Sequence, residues 1–113
     1  MKDTDIGKVI RQFIKAANAF DVKTALALFA TDAVIDDVSV GSTFKNTAGI
    51  RDYLEKFFVA YNTVTKLESL EILNSTQANA QVDFTGDFGH ETGALKVTIN
   101  ADGLIIGIDA HLD

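Results

Sequence analysis

The sequence predicts an α+β fold in which three N-terminal helices pack on one face of a curved antiparallel sheet. Up to about residue 61, apolar residues recur mostly at three- and four-residue spacing, the period of a helix, with one β-branched stretch between. From residue 64 onward they alternate with polar residues, the period of a strand. Helices followed by a run of strands are typical of α+β domains. At 113 residues we expect one domain over 1–113.

The three predicted helices are amphipathic, with apolar residues gathered on one side. The first covers about residues 4–19, the second about 22–30 and the third about 46–61. The third has a broad aromatic face that includes Tyr53 and Phe57. Such a face most often packs in a core, and it can also line an apolar pocket.

Five strands are predicted, at about 33–40, 64–73, 79–88, 94–99 and 104–112. We expect residues 41–46 to form a loop and residues 89–93 to form a hairpin loop that carries His90 in solvent. In the strand over 79–88, Gly86 stands on the apolar face and is expected to leave room there for a cavity.

The last strand is apolar on both faces, which predicts cover on both faces. The helices can cover only one face of the sheet. Ile105 is expected on the outer face, and His111 is expected to point away from the helices. We therefore expect a homodimer through the outer sheet face.

Two adjacent carboxylates, Asp36 and Asp37, stand inside a β-branched run. Aspartate is disfavoured in strands, and two in succession point to opposite faces. One carboxylate is then buried, which costs several kcal/mol unless it is paired. Two interpretations of this carboxylate are equally open: a functional role, or a strand-end acid bonded to nearby backbone or to Ser39.

Composition narrows the classes of function. The net charge is −6 and basic residues are scattered, so neither nucleic-acid binding nor binding to anionic membranes is expected. There are no cysteines, and the two histidines and scattered acids make no metal-ligand spacing, so no metal and no cofactor are expected. The acidic N-terminal segment lacks an apolar signal region, which predicts a cytoplasmic protein.

The segment ALFATDAVIDDVSVGSTFKNTAGIRDY, residues 27–53, resembles the ketosteroid isomerase branch of the superfamily that includes nuclear transport factor 2 and the polyketide cyclases. The matching features are the helix end, the acidic strand after it and the start of the next helix. The resemblance extends over nearly the whole chain. It implies a cystatin-like cone with an apolar mouth.

The resemblance also implies a general base, which falls on Asp37. In ketosteroid isomerase a tyrosine and a protonated aspartate stabilise the oxyanion. By position these two donors fall on Phe13 and Leu95, which cannot donate hydrogen bonds. Losing one such donor typically costs about 10²–10³ in rate, so ketosteroid isomerase activity is not expected.

Two hypotheses remain. The first is a non-catalytic binding or dimerisation module whose pocket holds a small apolar ligand or is filled, and the second is an isomerase, cyclase or dehydratase that uses Asp37 as its base. In both, the ligand is expected to contact an apolar set: Phe13, Phe29, Tyr53, Phe57, Phe84, Phe88, Leu95, Val97, Ile108 and Ala110.

Overall fold

The computed structural model of the chain describes residues 6–113. Its elements, in chain order, are α1 (Ile6–Asn18), α2 (Val22–Leu26), β1 (Phe29–Asp37), β2 (Ser42–Lys45), α3 (Asn46–Leu54), a wide π-type turn (Glu55–Val59), β3 (Val64–Ile72), β4 (Gln77–Gly86), β5 (Gly89–Ile99) and β6 (Ile105–Leu112). The expected start of the first helix at residue 4 lies outside the described residues. No helix within residues 6–113 is long and apolar enough to cross a membrane.

The six strands form one curved sheet in the order β2-β1-β6-β5-β4-β3. All neighbouring strands run antiparallel except β1 and β6, which run parallel. The predicted α+β class, with three helices on a curved sheet, is confirmed. The parallel pair makes the sheet mixed.

Around β1 the element bounds differ from the prediction. The second helix ends at Leu26, because the chain enters the sheet early: Phe29 pairs with Ile105, whose N–H donates to the Leu28 carbonyl at 2.8 Å. Residues 42–45, expected as a loop, form the edge strand β2. Gly41, with a φ of +68°, closes the turn that brings β2 back along β1.

The hairpin between β4 and β5 is tighter than predicted. Gly86 pairs directly with Gly89, so the connection is only two residues long and β5 begins at 89 instead of 94. His90 therefore lies on a strand, and its Nε2 is 2.8 Å from the Asp83 carboxylate. The prediction of a solvated loop histidine was wrong about the element, although the side chain is exposed.

Ile105 was expected on the outer face, and that prediction was wrong. Its side chain is fully buried, whereas Ile106 is 38% exposed. The reason is a bulge: Thr98 pairs with Gly107 but Ile99 pairs with Ile105, so the alternation shifts by one residue at the start of β6.

The outer face of the sheet is accordingly more polar than expected. Its side chains on β4, β5 and β6 include Asn79, Gln81, Lys96, Asp109 and His111, none of which is fully buried. The apolar set of these strands is instead concentrated on the inner face, beneath the helices.

The inner face has two halves. Helix α1 packs across β3 and β4, and α3 packs on β1. The half we call the filled half holds fully buried side chains, namely Ile35, Ala80, Val82, Val97 and Ile108, each at most 3% exposed. The half we call the open half lies towards the ends of β1, β4 and β6 and the first part of β5. Its side chains border a cavity; they are Asp37, Phe84, Glu91, Leu95 and Ala110.

Candidate functional site

A cavity of about 210 Å³ opens beside the open half. Its walls are mainly aromatic and aliphatic, with a few polar groups, which is the usual form of a small-molecule site. The lining residues are Asp37, Ser39, Val40, Tyr53, Phe57, Phe58, Tyr61, Thr63, Phe84, Phe88, Glu91, Leu95, Ala110, His111 and Leu112.

The π-type turn after α3 forms the aromatic wall of the cavity. Its hydrogen bonds join residues five apart: the Ala60 N–H donates to Glu55 at 2.9 Å, and the Thr63 N–H donates to Phe58 at 2.8 Å. This wider turn brings two consecutive side chains, Phe57 and Phe58, to the cavity. Turns of this kind occur frequently at functional sites. The sequence predicted a regular helix here, because no residue type marks such a turn.

Asp37 lies at the end of β1 and is only 7% exposed. Its Oδ1 accepts hydrogen bonds from the backbone N–H of Ser39, at 3.0 Å, and from the Ser39 hydroxyl. A carboxylate that bonds to the N–H two residues later is a typical aspartate turn, and here it ends the strand. The contact with Ser39 matches the structural interpretation of Asp37.

The other oxygen of Asp37 faces a tyrosine. Tyr53, on α3, donates its hydroxyl to Asp37 Oδ2 at 2.6 Å. The pKa of Tyr53 is raised well above its usual value, first by burial and then by the hydrogen bond to Asp37 and the negative charge there. The phenol therefore keeps its proton, which points at the carboxylate.

Most of the residues predicted to contact a ligand border this cavity. They are Asp37, Tyr53, Phe57, Phe84, Phe88, Leu95 and Ala110. Four others lie in the buried core and do not border it; these are Phe13, Phe29, Val97 and Ile108. Phe13, for example, packs edge-to-face on Phe29 with ring centroids 5.6 Å apart.

The reason for these four misplacements is that strand parity predicts the face of a side chain but not its position along the sheet. Val97 and Ile108 share the inner face with Leu95 and Ala110, yet they lie at the end that the helices fill. Phe13 lies on α1, whose inward face packs in that core.

Gly86 does not enlarge the cavity as expected. A Cβ at this position would lie 2.8 Å from the Phe88 ring and 2.8 Å from the Tyr61 carbonyl oxygen. The space that glycine leaves is therefore used for a close approach of these two groups. Tyr61 and Phe88 pack edge-to-face at 6.3 Å, and both are 44% exposed at the cavity.

Charge in the cavity wall is acidic. Asp37 and Glu91 line it, and none of the lining residues is Lys or Arg. Within residues 6–113, no ion pair reaches Asp37, and Arg51 on α3 is exposed. No group of three or more His, Cys, Asp or Glu in the described part of the chain could hold a metal ion.

Solved structures share this fold. A protein of unknown function with a cystatin-like fold from Methylobium petroleophilum PM1 is 24% identical, with a TM-score of 0.83 over 95% of this chain and 74% of that one. RV0760c from Mycobacterium tuberculosis, solved in complex with estradiol-17beta-hemisuccinate, is 17% identical, with a TM-score of 0.84 over 96% and 93% of the two chains.

A third similar structure is SalBIII, an epoxide hydrolase/cyclase-like enzyme in pyran ring formation. It is 14% identical, with a TM-score of 0.83 over 96% of this chain and 90% of that one. Identities this low establish the fold alone. None of the curated proteins matches the sequence.

The family follows from the sequence itself. Residues 10–105, most of the chain, match the SnoaL-like domain. The resemblance to the nuclear transport factor 2-like superfamily, drawn from residues 27–53, is thereby confirmed. The protein belongs to the SnoaL-like domain family of that superfamily.

Proposed function

We propose that the protein binds a small apolar ligand in the cavity beside the open half. The observation that carries the proposal is an apolar cavity of about 210 Å³ whose wall holds one buried, hydrogen-bonded pair, Asp37 and Tyr53. An apolar body gains from leaving water, and a few placed polar groups fix its orientation. The estradiol hemisuccinate complex of RV0760c supports this assignment by analogy.

The alternative is an enzyme of the isomerase, cyclase or dehydratase type with Asp37 as general base. Its support is a buried carboxylate that borders an apolar cavity, together with the similarity to SalBIII. A base acting next to a carbonyl also needs donors for the developing oxyanion. Phe13 lies in the core and Leu95 is apolar, so neither position that the resemblance assigns to a donor provides one.

Binding is therefore the function that the geometry supports best. Calorimetric titration with tetralin, an uncharged bicyclic hydrocarbon, tests it. Ala110 lines the cavity, so Ala110→Leu should fill part of the space and weaken binding at least about tenfold, or about 1.4 kcal/mol.

Ala94→Leu is the matched control, because Ala94 neighbours Leu95 on β5 but lies on the outer face. It should leave tetralin binding unchanged. Equal binding by both variants and the wild type, with both variants folded, would contradict the assignment of the site.

We further propose a homodimer through the outer face of the sheet. Short side chains there, such as Ser69 and Ala94, border a shallow depression. A twofold axis would pair this face with itself. Sedimentation at micromolar concentration should give the dimer mass, and Ser69→Glu, which places a charge in the depression, should give the monomer. A wild-type protein that sediments as a monomer overturns this proposal.

A further inference from the structure

Three hydroxyl groups in the cavity wall, those of the buried Tyr53 and Thr63 and of the exposed Ser39, already donate hydrogen bonds within the protein. Tyr53 and Ser39 donate to Asp37, and Thr63 donates to the Phe57 carbonyl at 2.7 Å. A hydroxyl has one proton and two lone pairs. None of these three groups can donate to a ligand without giving up its bond, but each can still accept.

Asp37 also keeps accepting capacity. A carboxylate has about four acceptor positions, and three of them are engaged here. Oδ1 accepts twice from Ser39, whereas Oδ2 accepts once, from Tyr53. The remaining position is therefore on Oδ2, beside the Tyr53 hydroxyl.

The charged groups of the cavity wall also favour a ligand that donates hydrogen bonds. Glu91 adds a second carboxylate to the wall, and the lining contains no Lys or Arg. Two further lining residues carry donor groups: Tyr61, which is exposed, and His111, whose side chain lies on the outer face of the sheet beside Ala94. The buried side chains of the cavity wall thus offer a ligand hydrogen-bond acceptors only, in an acidic environment.

We infer that the ligand carries a hydrogen-bond donor on an otherwise apolar body, either an alcohol or phenol hydroxyl or an amine, and presents it to Asp37. The inference deepens the proposed binding function and depends on it. A ketone in the same place would meet lone pairs. To accept a hydrogen bond there, the ketone would have to draw the Tyr53 hydroxyl away from Asp37. The buried carboxylate would then have one hydrogen bond fewer.

Four matched probes test the inference by calorimetry on the wild-type protein: tetralin, 2-tetralol, 2-tetralone and 2-aminotetralin. The alcohol or the amine should bind about 10- to 100-fold more tightly than the ketone, the range expected for one hydrogen bond to a charged group. Tetralin reports the apolar contribution alone.

Comparison of the amine with the alcohol shows whether the donor group of the ligand is cationic or neutral. Tighter binding of 2-aminotetralin, weakened by added salt, indicates a cationic head because salt screens charge pairs. Tighter binding of 2-tetralol, insensitive to salt, indicates a neutral hydroxyl. Either result supports the inference.

Asp37→Asn places an amide donor where the carboxylate was, so the ratio of ketone to alcohol affinity should rise at least tenfold. Asp36→Asn is the matched control, since Asp36 is exposed on the opposite face of β1, and its ratio should stay at the wild-type value. If Asp37→Asn does not fold, Tyr53→Phe replaces it. That variant leaves the carboxylate with a second open position and should retain the preference for the donor.

Two results overturn the inference in different ways. If tetralin binds but 2-tetralone binds as tightly as both donors, the cavity is a binding site without this selectivity, and the proposed function survives. If none of the four probes binds, the proposed function fails and the inference fails with it.

Discussion

The filled and open halves of the inner sheet face are built from the same strands, yet only one of them encloses solid core. On β5, Val97 is 1% exposed beneath the helices, and Leu95, two residues earlier, borders the cavity. On β6, Ile108 and Ala110 differ in the same way. Strand pattern is therefore the same in both halves, and the helices above them make the difference.

The helices above the two halves differ in regularity: α1 stays regular across the sheet, whereas α3 continues into the π-type turn. Helix α1 runs regularly across β3 and β4 and inserts Ile10 and Phe13 into the core. Helix α3 ends at Leu54 and continues as the wide turn, which places Phe57 and the buried Phe58 side by side in the cavity wall. A regular helix can fill a sheet face, whereas this wide turn leaves a cavity beside it.

The largest expected effect is the difference in stability between glutamate substitutions at two neighbouring residues at the start of β6, one buried and one exposed. Ile105→Glu puts a carboxylate at a fully buried position, which should cost more than about 4 kcal/mol and leave little folded protein. Ile106, one residue later, is 38% exposed, so Ile106→Glu should cost less than about 1 kcal/mol. Urea unfolding followed by circular dichroism measures both. Equal losses would contradict the bulge that separates these neighbours.

Truncating one phenylalanine in each half should sharpen the comparison. Phe13→Ala removes a ring that is 3% exposed and should cost about 3–5 kcal/mol without a specific effect on tetralin affinity in the folded fraction. Phe57→Ala removes a half-buried ring from the cavity wall and should cost nearer about 1 kcal/mol, while it weakens tetralin binding. The two halves would not be distinct if Phe13→Ala impaired binding more than Phe57→Ala.

The smallest expected effect is a pH dependence of the free energy of unfolding that comes from Tyr53, in the wall of the cavity. Because its pKa is raised in the folded state, the folded protein holds this proton more tightly than the unfolded chain does. The stabilisation is complete below the unfolded tyrosine pKa of about 10 and is lost as pH rises from there towards the folded pKa.

The free energy of unfolding should consequently fall above about pH 10, by up to about 1.4 kcal/mol per pH unit from this group. Tyr53→Phe should flatten that fall, whereas Tyr61→Phe, which removes an exposed phenol, should not. Urea melts between pH 8 and 11, from about two units below the unfolded tyrosine pKa to about one unit above it, measure this loss of stability. A Tyr53→Phe protein that loses stability as steeply as the wild type would contradict the buried hydrogen bond to Asp37.

The sequence predicted the fold class and the family because both depend on regular periods and on one local segment. Asp37 was identifiable for a related reason: two aspartates in a β-branched run place one on the inner face. Its partner was not identifiable. Tyr53 lies 16 residues away on a different element, and only the packing of α3 on β1 brings the hydroxyl to the carboxylate. The available hint was chemical, since a buried tyrosine hydroxyl usually finds a partner.

The remaining misses share one physical cause. The bulge at the start of β6, the wide turn after α3 and the pairing of β2 with β1 are local departures from regular geometry that tertiary packing selects. Ile105 changes face because of the first, and Phe58 reaches the cavity through the second. Period-based prediction assumes uninterrupted elements, so such departures change the assignments of the residues beside them.

Methyl NMR of the protein titrated with 2-tetralol tests the distinction between the halves most directly. The signals of Leu95 and Ala110 should shift in proportion to the bound fraction, because these side chains border the cavity. The signals of Val97 and Ile35, buried in the filled half, should move far less. Shifts confined to Val97 and Ile35, or no shift at any of the four at saturating ligand, would contradict the account of an open half that binds a small apolar molecule.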